Sequence, residues 1–129
     1  MLISRIQDEL REYPSLTVRM GKGQLEIIPQ TDAGFSVWVS ETPSHFTVGF
    51  EGWHEQFSDL DEALNCFFFG LSSSCRLRVS RRGDVDYKWQ VLHQVDGRWV
   101  VDGEVGFLFF PFWRKKETRE LQNDLVKPR

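Results

Sequence analysis

Three arginines restrict how the second half of this chain can pair. Arg76, Arg78 and Arg82 share one strand parity, alternate with Leu77 and Val79, and precede a Gly83-Asp84 turn signal. A two-residue hairpin loop would set all three guanidinium groups on the face that carries Val85, Tyr87, Trp89 and Val91. Burying three unpaired cations costs several kcal/mol each, as much as a whole domain's stability. A three-residue loop, Gly83-Asp84-Val85, shifts the pairing by one and turns every side chain over. Leu77 and Val79 then join Tyr87, Trp89 and Val91, while Arg82 faces Asp86 and Arg78 faces Gln90. The next turn is expected to behave alike. A three-residue Val95-Asp96-Gly97 loop pairs His93 with Trp99 and Val91 with Val101, leaving Gln94, Gln90 and Lys88 opposite Arg98, Asp102 and Glu104. The segment reads as a three-stranded meander with one aromatic-rich apolar face.

The first half has the same alternation. Leu2, Ile3, Ile6 and Leu10 predict an amphipathic helix over residues 2–13, stopped by Pro14. A Lys22-Gly23 loop pairs Met20 with Leu25, Val18 with Ile27 and Arg19 with Glu26. Phe35-Val37-Val39, Phe46-Val48-Phe50 and Trp53 to Phe57 supply three further strands. Ser58 is the expected cap of a second helix, with Asp59, Asp61 and Glu62 in its first turn and Gly70 at its end. Leu60, Ala63, Leu64, Phe67 and Leu71 form its apolar face. At the far end, the basic segment after Trp113 is expected to be a lightly docked helix over residues 114–126, with Leu121 and Leu125 as a thin stripe.

These elements predict a single α+β domain: a curved antiparallel β-sheet of about seven to eight strands in two hairpin-rich sets, with helices packed on one face. The order helix–strands–helix–strands–helix in a small acidic chain resembles that of type III secretion chaperones. The resemblance is one of element order and licenses analogy, not assignment.

Eleven Phe, five Trp and two Tyr are many stiff side chains for 129 residues, and they imply a thick aromatic core, a pocket or a contact surface. A net charge of −3 provides no general attraction to nucleic acid, so no nucleic-acid partner is expected. The N-terminal segment carries acids without an apolar run, unlike a signal peptide. The apolar stretch from Val105 to Trp113 falls far short of the ~20 residues needed to span a bilayer. A cytoplasmic setting with free thiols is the expectation.

Catalytic and metal signatures are absent. The sequence has no GxSxG, HExxH or phosphate-loop frame, and Cys66 and Cys75 match no metal spacing, so no cofactor is expected. The acidic run around His54 (Glu51, Glu55, Asp59, Asp61, Glu62) reads as a solvated loop and helix start, not a metal cluster. The arginine row, with Arg114, Lys115, Lys116 and Arg119, reads as a solvated sheet face that resists edge pairing.

Two regions stay open. Tyr87, Trp89, His93 and Trp99 are the expected lining of an aromatic ligand cavity between sheet and helix. Phe107, Phe109, Phe110, Phe112, Trp113 and Arg114 form the other: a buried strand ending at Pro111, a membrane-interface segment, or a contact for a partner or second copy. The strand reading is preferred for lack of a helical period, and peripheral membrane contact is not expected. The functional expectation is a non-catalytic binding or interaction module, the alternative a small-molecule binder or enzyme using the aromatic cavity.

Overall fold

The computed structural model describes residues 1–108 and 110–129. Leu2, Ile3, Ile6 and Leu10 are the buried face of helix α1 (Leu2–Leu10). A carboxylate replaces a conventional cap there: Glu41 Oε2 accepts from the Leu2 backbone N–H at 2.7 Å. Strands β1 (Thr17–Gly21), β2 (Gln24–Ile28), β3 (Val37–Glu41), β4 (Phe46–Phe50) and β5 (Trp53–Phe57) follow as an antiparallel meander in chain order. The first hairpin has the expected register throughout, with Met20 opposite Leu25, Arg19 opposite Glu26 and Val18 opposite Ile27.

Helix α2 (Leu60–Leu71) begins one residue later than expected, because Asp59 is the cap and its carboxylate accepts from Glu62 N–H at 3.0 Å. Ala63, Leu64, Phe67, Phe68 and Leu71 are buried on it, and α2 packs across β3, β4 and β5.

A second sheet holds β6 (Cys75–Arg82), β7 (Val85–Val95), β8 (Arg98–Gly106) and β9 (Lys116–Leu121), in the order β8-β7-β6-β9. The fold is therefore α+β and antiparallel as expected, but as two sheets with nine strands between them, not one curved sheet.

Both loop lengths in this sheet differ from expectation, for instructive reasons. The Gly83-Asp84 turn has two residues, and Arg82 faces Val85 while Arg81 faces Asp86 at 3.0 Å. Tyr87 then bulges, and beyond it Val79 faces Trp89, Arg78 faces Gln90 and Leu77 faces Val91. One extra residue in the strand thus does what an odd loop would have done, and Arg78 stays off the Trp89 face. At the next turn Asp96 and Gly97 both have positive φ, 51° and 79°, which is the geometry of a two-residue type I′ hairpin. His93 faces Val100, not Trp99, and Gln94 faces Trp99. That shift of one turns Trp99 over onto the arginine face, where the Arg76 guanidinium carbon lies 4.1 Å from its ring centroid. A second bulge leaves Asp102 unpaired between Leu92–Val101 and Val91–Gly103.

The expected helix over 114–126 is strand β9 and an extended tail, so the element order no longer matches that of the secretion chaperones. Glu120 fits the strand pairing. It faces Arg78 on β6 and lies 3.2 Å from Arg78 and 3.4 Å from Arg76, giving the arginine row its counter-charge. The tail then crosses to α2, where Leu125 N–H donates to Leu71 O and Val126 is buried.

Two glycines join the sheets. A Cβ at Gly52, in the β4–β5 turn, would overlap the Trp89 indole of β7, and one at Gly103 on β8 would overlap Trp53 of β5. Each sheet seats a tryptophan of the other on bare backbone.

Candidate functional site

Beside the Trp53–Gly103 contact the sheets part into an open cleft of about 700 Å³. Phe50, Trp53 and Phe57 line it from the first sheet, Phe69 and Cys66 from α2, and Val91, His93 and Gly103 from the second sheet. Its size is that of a small-molecule site, and its walls are largely apolar.

The polar groups in it arrive by identifiable routes. Phe46 faces Phe57, Val48 faces Glu55 and Phe50 faces Trp53, so Glu55 occupies an inward position between two aromatic neighbours on β5. Asp102 is the extra residue of the β8 bulge and lines the cleft beside Gly103. His93 shares the inward face of β7 with Val91, since Cys75 faces His93 and Leu77 faces Val91. Neither Glu55 nor Asp102 has an ion-pair partner among the described residues. No Lys or Arg is among the described residues that line the cleft.

Of the four residues expected to line a pocket, only His93 does. Trp89 faces inward but is packed over Gly52 and edge-on to Phe107 at 5.5 Å. Tyr87 is buried against Phe110, the rings stacked at 4.2 Å, and Trp99 lies under Arg76. Glu55 shares the parity of Trp53 and Phe57, so its inward position could be read from the alternation. Nothing in the sequence marks the bulge that brings Asp102.

Cys66 and Cys75 are free thiols. Burial, then the charges of Glu55 and Asp102, push Cys66 up to about 12. Burial and the nearby Cys66 push Cys75 upward as well. Both are protonated near neutrality, the opposite of what an activated cysteine requires. Their raised values predict an alkaline weakness. Unfolded thiols ionise near 9.0, so above that pH the unfolded chain binds fewer protons than the folded one and stability falls. The slope is about 1.4 kcal/mol per pH unit for each thiol involved. Urea midpoints between about pH 8 and about pH 10.5 should show this decline, and Cys66→Ala should flatten it.

The Phe107–Arg114 segment is not a buried strand. Phe107 N–H donates to Tyr87 O at 2.8 Å and Phe110 stacks on Tyr87, which anchors the loop. Outside those anchors Phe107, Leu108, Phe112 and Trp113 are 56 %, 91 %, 70 % and 72 % exposed. The strand reading fails because β8 ends at Gly106 and the described residues between it and β9 belong to no strand. Arg114 lies over the Gly83 turn, where its stem fills the space a Cβ would need. Phe109 lies outside the described residues.

The arginine row is engaged internally. Glu120 holds Arg76 and Arg78, Asp86 holds Arg81, and Arg82 donates to Arg114 O at 3.1 Å. Among the described residues no group of three or more His, Cys, Asp and Glu side chains is placed to hold a metal, and no helix is long and apolar enough to cross a membrane. No protein-family model, curated protein or solved structure matches the chain.

Proposed function

We propose that this protein is a non-catalytic binding module that engages a protein partner or a second copy of itself through the Phe107–Arg114 loop. The supporting observation is that four large apolar side chains of this loop stand in solvent while its own anchors, Phe110 and the Phe107 backbone, are fixed on Tyr87. Clustered exposed aromatics beside an arginine are the composition of interface centres. The double variant Phe112→Ser, Trp113→Ser removes two of them without touching the core, so its stability should stay within about 0.5 kcal/mol of the parent. Sedimentation velocity over a wide concentration range should show assembly, or a pull-down a captured partner, that the variant loses. A monomer at every concentration, with identical captured proteins for parent and variant, would overturn the reading.

A second reading is favoured by a separate observation, the aromatic cleft with its few convergent polar groups. On this reading the protein binds a small molecule between the sheets.

A further inference from the structure

We propose that the cleft selects a small organic cation: an amine, protonated at neutral pH, that carries an apolar body. This rests on reading the cleft as a ligand site and names the ligand class. Three features point the same way. Glu55 stands between Trp53 and Phe57 on the inward face of β5, a position the strand's alternation reserves for apolar side chains. Asp102 is brought to the opposite wall by a bulge, a device that re-aims a single side chain at the expense of a ladder pair. Among the described residues, both carboxylates lack an ion-pair partner and the lining contains no Lys or Arg.

Both carboxylates are exposed in the open cleft, so an anionic guest would be repelled and a neutral one would gain nothing from their charge. A cation in the cleft is attracted by both carboxylates, and the aromatic lining of Trp53, Phe57 and Phe69 suits its apolar body. Inward charges on an edge strand also deter edge-to-edge pairing, and Glu55 alone would serve for that. Asp102 and its bulge stand on β8, an edge strand too, so edge protection accounts for each charge on its own strand but not for the two sharing one aromatic cleft. The upward push that both acids exert on the Cys66 thiol is consistent with a negative potential reaching the cleft floor.

Nitrogen-15 NMR titrations of the full chain with 2-phenylethylamine and with its neutral counterpart 2-phenylethanol test the inference. The amine should shift the amides of Glu55, Cys66, His93 and Asp102 and bind at least about tenfold more tightly than the alcohol. In Glu55→Gln, Asp102→Asn, near-isosteric changes at exposed positions, the amine should fall to the alcohol's affinity while the alcohol's own affinity stays put. Equal binding of amine and alcohol by the parent would overturn the cation proposal and leave the cleft reading standing. So would a preference that survives in the double variant. If neither compound shifts those amides, both fall.

Discussion

Asn123→Ala should cost the fold about 3–5 kcal/mol, seen as a lower urea midpoint with little change in slope. Asn123 is buried, and its amide serves three backbone groups from two distant segments. Its Oδ1 accepts from Phe35 N–H at 3.1 Å, and its Nδ2 donates to Phe35 O at 3.1 Å and to Gly70 O at 2.9 Å. Alanine would leave a donor and two acceptors orphaned where water cannot reach them, and each such group carries a desolvation penalty of about 1–3 kcal/mol. Asn123→Asp separates hydrogen bonding from size. It keeps the volume but loses both donors and sets a carboxylate against two carbonyl oxygens, so it should be at least as damaging at neutral pH. A mild effect in both variants would mean that the tail is not held this way.

Gly70→Ala should destabilise by about 2–3 kcal/mol, although alanine is ordinarily the better helix residue by about 1 kcal/mol. The sign reverses because Gly70 lies inside α2 against the ring of Phe50, and a Cβ would occupy that ring's space. Phe50 cannot step aside. It is fully buried and packed against Phe35 and Trp53, with ring centroids 5.6 Å and 4.8 Å away. The penalty should therefore shrink in a Phe50→Leu background, and the double-mutant cycle should report a coupling of about 1 kcal/mol or more. Gly70→Ala raising the melting temperature would refute this packing.

Where local rules and burial agreed, the sequence was legible. The β1–β2 register, the α1 face, the α2 face and the separation of Arg78 from Trp89 all follow from alternation and the cost of burying charge. What escaped was set by partners far along the chain. Leu121 and Leu125 have helical spacing, yet Glu117 faces Arg81 and Glu120 faces Arg78, a pairing visible only once β6 and β9 are neighbours. Trp99 lies on the arginine face because the Asp96-Gly97 turn has two residues, not three, and a one-residue difference in loop length turns the whole strand over. The Arg76 guanidinium stacks on it there. The candidate site was half legible: His93 and the inward Glu55 follow from parity, whereas Asp102 depends on a bulge with no composition signature. The exposed aromatic loop ran against the rule that such residues seek the interior, and interaction surfaces are where that rule fails.

The exchange of tryptophans between the sheets bears on how the molecule melts. Trp53 rests on Gly103 and Trp89 on Gly52, so losing either sheet uncovers one ring on each side of the joint. Neither sheet can open while the other keeps its full apolar cover, which ties their unfolding into one cooperative transition. A guest in the cleft, lodged against Trp53 and Gly103, would then stabilise more than the strands it touches. Its binding free energy would be felt as slower hydrogen exchange at the amides of both sheets that open only when the whole molecule unfolds.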